Sequence, residues 1–112
     1  MTRADVILMI QFNALIIYRT ADGHEHHGYV IGDSYTRFNG RNTYTISVRD
    51  PNAYSISGCY LDEIVRVVDW HIPEECRADA MERVRRQIIN SFFTDGILDG
   101  DPDLTYREEG IA

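Results

Sequence analysis

From Val6 to Tyr18 almost every position is apolar, and the run is broken only by Gln11 and Asn13. If the stretch is extended, Val6, Leu8, Ile10, Phe12, Ala14, Ile16 and Tyr18 share one face. The β-branched pair Ile16-Ile17 favours a strand over 13–20, while 4–12 fits either a buried helical turn or a strand. Asp22-Gly23 then predicts a tight hairpin, because glycine takes the positive φ that a primed turn requires. A second strand is expected near His26–Ile31. Asn39-Gly40 repeats the turn signal and leads into 43–49, where Tyr44, Ile46 and Val48 alternate with Thr45, Ser47 and Arg49. That alternation marks a half-buried antiparallel strand. Asp50-Pro51-Asn52 is a third turn, followed by 53–57 and a longer strand from Cys59 to Trp70.

The period then changes. Pro73 suits the first turn of a helix, and Glu74, Glu75 and Asp79 suit its positive end. Cys76, Ala80, Val84 and Ile88 recur every four residues and predict one amphipathic helix over 73–94, stopped by Asp95-Gly96. Strands first and a helix last give an α+β class: a small antiparallel sheet or partial SH3-like barrel (4–70), one long C-terminal helix, and an acidic tail (95–112). The 112 residues are the size of one domain.

Charge narrows the partners. The net charge is −7, every base is arginine, and the tail alone carries −5 of the total. Phosphate-backbone binding needs a cationic face, so no direct nucleic-acid contact is expected. No apolar run approaches the roughly 20 residues of a membrane span, and the start lacks a cleavage signature. Two cysteines, Cys59 and Cys76, make neither a disulfide framework nor a zinc set. A cytoplasmic protein with reduced thiols is the expectation.

Chemistry-bearing motifs are sparse. His24, His26 and His27 could supply part of a zinc or nickel site, but no second cluster at ligand spacing accompanies them, and a solvated hairpin arm accounts for them as well. Asp99, Asp101 and Asp103 alternate like the opening of a calcium loop, yet the sixth and twelfth positions are Leu104 and Gly110 where Gly and Glu are needed. No nucleophile elbow and no phosphate-cradling glycine loop is present. Cys76 falls on the helix's apolar stripe, where thiols are inert. Neither an enzyme nor a cofactor or metal requirement is expected. Tyrosine is abundant in the sheet region (Tyr29, Tyr35, Tyr44, Tyr54, Tyr60), which suits strands and recognition surfaces alike.

Residues 14–23 and the later stretch Tyr60-Leu61-Asp62-Glu63-Ile64-Val65-Arg66-Val67 resemble a small SH3-like barrel, similar to the ligand-sensing WYL domains and the Sm-like Rho-binding antiterminators. The likeness covers about half the chain and implies a barrel-like fold; the Trp-Tyr-Leu signature is absent. In size and acidity the whole chain is similar to phage-encoded inhibitors of the anti-CRISPR kind. That resemblance implies a non-enzymatic inhibitor that occludes a basic, nucleic-acid-handling protein, steered by its negative charge. Glu74, Glu75, Asp95, Asp99, Asp101 and Asp103 would carry the charge, with Tyr44 and Tyr54 as exposed anchors. The alternative is a ligand-sensing β-barrel module that holds a small molecule or nucleotide between tyrosines and Arg37, Arg41 or Arg49. A concave aromatic pocket in the sheet would distinguish it. The apolar excess of 6–18 points to a homodimer that hides it.

Overall fold

Thr2 and Asp5 cap the first element reciprocally: the Thr2 amide donates to Asp5 Oδ2 at 2.7 Å, and the Asp5 amide to Thr2 Oγ1 at 3.5 Å. This capping box opens a helix. In the computed structural model, which describes residues 1–38, 41–95 and 108–110, helix α1 spans Arg3–Phe12 and ends on Asn13 in the left-handed conformation (φ 50°). Segment 4–12 is therefore helical. Its Val6 and Met9 enter the sheet's core, whereas Ala4 and Leu8 pack on the second helix. A helix buried on two sides has no polar face, which is why its hydrophobic run shows no period.

Strands β1 (Leu15–Arg19), β2 (Glu25–Phe38), β3 (Arg41–Arg49), β4 (Ile56–Cys59) and β5 (Ile64–Asp69) form an antiparallel sheet in the order β4-β3-β2-β1-β5. A short strand β6 (Glu108–Gly110) pairs with Arg41–Thr43 of β3. The second strand extends to Phe38, past the expected Ile31. The stretch 59–70 is not one strand: a 3-10 turn at Leu61–Glu63 divides it. Leu61 drops into the core there, and Glu63 Oε1 accepts the Tyr60 amide at 2.8 Å. That turn carries the chain from the β4 edge to the free edge of β1, where β5 joins. A four-strand meander with β5 added beside its first strand makes one antiparallel sheet, and with the two helices an α+β fold.

The pairing β1–β5 skips Val65 and Val68: Tyr18 faces Ile64, Ile17 faces Arg66, Ile16 faces Val67 and Leu15 faces Asp69. Each skipped valine is a β-bulge. The two bulges turn the alternation of β5 into a period of three, with Ile64 and Val67 half-buried and the valines exposed. They also blunt an outer edge that would otherwise invite pairing.

Helix α2 spans Glu74–Asp95. Val84 and Ile88 are buried against α1, and Met81 and Ala80 lie beside them. Cys76 is exposed, contrary to its place on the expected stripe. The first turn of α2 borders a pocket that Glu74 and Arg77 share with Trp70 and with Asp5 of α1, and Arg77 is stacked over Trp70 at 5.1 Å. Much of the apolar run 6–18 is buried by α1, β1 and their contacts within one chain.

Candidate functional site

The pairing of β2 with β3 stops at Tyr29 and Arg49 while β2 continues, and a proline stands in the register beyond. Successive β2–β3 partners run Val30 with Val48 and Tyr29 with Arg49. Continued, the same register would set His27 opposite residue 51. That residue is Pro51, which has no N–H with which to close the pair. The chain turns away instead: Asp50 Oδ1 accepts the Asn52 amide at 2.7 Å, and the Ala53 amide reaches the Asp50 carbonyl at 3.4 Å. β2 runs on for Glu25–Gly28 with β1 on one side and an open slot on the other.

The slot is a cleft of about 530 Å³ lined by Tyr18, Glu25, His26, His27, Asp50, Pro51, Asn52 and Ser57. The volume lies within the roughly 300–1,000 Å³ of small-molecule sites. Tyr18 and His26, cross-strand partners, stack with ring centroids 5.4 Å apart at 29°. His26 Nε2 also lies 3.4 Å from Thr20 Oγ1. The Tyr18 phenol is raised above its ordinary pKa, mainly by burial, with the nearby charge of Asp50 contributing and a Ser57 hydrogen bond opposing. Tyr18 therefore offers a neutral hydroxyl at physiological pH. Beside the rings Gly28 leaves no free room for a side chain: a Cβ there would stand 2.9 Å from Val48 Cβ and 3.4 Å from the Tyr18 ring. The hairpin that carries the histidines is fixed by Gly23 (φ 83°), by Asp22 Oδ1 accepting the His24 amide at 3.0 Å, and by an Arg19–Glu25 ion pair. The Thr20 hydroxyl and that amide together hold the Asp22 carboxyl below its ordinary pKa.

The sequence-predicted residues scatter. Tyr44 is 1% exposed and its hydroxyl donates to Asp33 Oδ2 at 2.7 Å; it is a core residue, not a surface anchor, because its strand position lies on the core face of the sheet with Ile46 and Val48. Tyr54 is fully exposed in the β3–β4 connection. Glu74 and Glu75 are exposed at the start of α2. Asp99, Asp101 and Asp103 lie outside the described residues, as do the side chains of Asp95, Arg37 and Arg41. Arg49 is 5.4 Å over the ring of Tyr29 on the opposite face of the sheet, and Tyr29 stacks on His71 in turn. Among the described residues no arginine lines the cleft. Among the described residues no three His, Cys, Asp or Glu side chains group to hold a metal ion, and no helix is long and apolar enough to cross a membrane. The register-breaking Pro51 was the available sequence signal for the cleft, legible only once the strand pairing is known.

Comparison with protein-family models, with curated proteins and with solved structures gives no match.

Proposed function

We propose that this chain is a non-enzymatic ligand-binding module whose site is the cleft where β2 runs on past the end of β3. The observation that carries the reading is the aromatic floor of Tyr18 and His26 inside a concave, mostly polar cleft. Hydroxyl, imidazole, amide and carboxylate groups converge there from β1, β2, β4 and the β3–β4 turn, so a small polar molecule is gripped on several sides. The ligand class shifts from the small molecule or nucleotide expected to be held by tyrosines and arginines to a small polar molecule held by hydroxyl, imidazole, amide and carboxylate groups. The test is a fragment screen followed by amide and side-chain shifts in NMR spectra. Binding that moves Tyr18, His26, Asn52 and Ser57 together is the expected result; a broad screen that moves none of them overturns the reading.

A second reading is a protein-binding inhibitor of a basic partner. Tyr54, wholly exposed, with exposed Ile56 two residues on, favours it, and exposed Glu74 and Glu75 add negative charge. A pull-down at low and high salt decides it, because a charge-steered partner is lost as salt rises.

A further inference from the structure

The cleft also has a backbone wall, and that wall specifies a ligand. The Val30 amide donates to the Ala14 carbonyl at 2.9 Å, so even-numbered residues of this part of β2 turn their backbone groups toward β1. Pairing of β1 with β2 is continuous from Leu15–Tyr29 to Arg19–Glu25, with no bulge to change the phase. By alternation the odd residues, Tyr29, His27 and Glu25, turn their N–H and C=O groups toward β3. Tyr29 finds Arg49 there. His27 finds the slot, because Pro51 ended the register one pair too early.

A single residue's N–H and C=O aimed side by side into a cleft is a donor–acceptor pair with the spacing that a strand residue would satisfy. Edge strands recruit a passing backbone in this way, with main-chain hydrogen bonds supplying the affinity. Here the slot is bordered by Asp50, Pro51 and Asn52 and by the stacked Tyr18–His26 rings, which sets an aromatic surface beside the backbone edge and favours a planar occupant. We propose that the slot binds a planar ring carrying an adjacent N–H and C=O, of the lactam or pyrimidinedione type, held edge-on by the backbone of His27. The proposal rests on the ligand-binding reading above and names its ligand class. The ring's C=O accepts the His27 amide, and its N–H donates to the His27 carbonyl. Its face lies against the aromatic floor, where stacking tolerates many ring types. Asn52 and Ser57 are placed to meet substituents on the far edge.

The edge is tested with a matched pair of probes, uracil and 1,3-dimethyluracil, titrated into the labelled full-length protein while backbone amide shifts are followed. The expected result is a shift of the His27 amide and of slot residues with uracil, and at least tenfold weaker binding of the dimethyl compound, whose ring nitrogens cannot donate. Pro51→Val is the second arm. It restores an N–H opposite His27, lets β3 extend into the slot, and should weaken uracil at least tenfold while the variant melts no lower than the parent. Equal binding of both probes, or undiminished uracil binding by the folded variant, overturns edge recognition even where the cleft holds other molecules. No slot shift with uracil, while other fragments bind the cleft, overturns the ligand class alone. A cleft silent to every fragment overturns this proposal together with the reading beneath it.

Discussion

Tyr44 and Tyr18 belong to one core cluster, and their hydroxyls end in different surroundings. At the closed end of the sheet, near Arg3 at the start of α1, Tyr44 is sealed: its ring packs beside Tyr35 at 6.5 Å and its hydroxyl is tied to Asp33. At the open end Tyr18 keeps a packed ring but turns its polar tip toward the cleft. The closed end is a place where strands run in register and side chains fill the space. The open end exists because a proline stops one strand while its neighbour continues. The difference teaches that the site is made by backbone pairing, with the core serving as its floor, and each prediction below pulls on one end.

The largest effect is expected from the shared floor. Ile16 is wholly buried between the two ends, and Ile16→Ala leaves a cavity that the surrounding β1, β2 and β5 cannot collapse. Losses for such truncations run about 2–5 kcal/mol. Urea denaturation should show a lower midpoint with an unchanged slope. A loss under about 1 kcal/mol would mean that the core is looser than the packing around Ile16 implies, and the contrast between a rigid floor and an open mouth would fail.

A smaller effect sharpens the contrast at the mouth itself. Gly28→Ala places a methyl 2.9 Å from Val48 Cβ, a contact that forces β2 and β3 apart where the slot begins. Overpacking of this kind costs about 1–3 kcal/mol. Thermal melting measures the cost, and cleft shifts measure whether ligand binding falls with it. Loss of binding in a variant that remains folded would show that the Tyr18–Gly28–Val48 stack sets the shape of the slot.

How much of this was readable beforehand follows from the same division. The in-register parts were legible: Tyr44, Ile46 and Val48 alternate with polar neighbours because one face of β3 is buried, and the Asp22-Gly23 turn announces its hairpin. The helical period at Val84 and Ile88 announces α2. Three features were hidden for physical reasons. Helix α1 is apolar on both sides, so only the capping box at Thr2 and Asp5 betrays it. β5 carries two bulges, so its burial repeats every three residues and imitates neither strand nor helix. The cleft depends on a pairing between distant residues, His27 and Pro51, whose consequence appears only when the register is known. Tyr44 was misassigned as an anchor because composition shows that tyrosines are present without showing which way they face.

The smallest expected effect, and the most selective, is alkaline. Burial and the Asp33 charge push the Tyr44 phenol far above its ordinary value of 10.0, and burial pushes the Cys59 thiol from 9.0 up to about 12. In each case the folded chain retains a proton that the unfolded chain releases, so stability is full below the ordinary value and falls as pH rises past it. Cys59 begins the decline near pH 9 and Tyr44 steepens it above pH 10, each by up to about 1.4 kcal/mol per pH unit. Tyr44→Phe should cost about 1 kcal/mol at pH 7.5 through the lost Asp33 hydrogen bond and should flatten the fall between pH 10 and 11. Tyr18→Phe should flatten it less, since the Tyr18 phenol is raised to a smaller extent and Ser57 opposes the rise. Urea midpoints at pH 7.5, 9.5, 10.5 and 11 separate the two variants. Equal flattening by both would put Tyr18 in surroundings as closed as those of Tyr44, and the open mouth, with the ligand site built on it, would have to be given up.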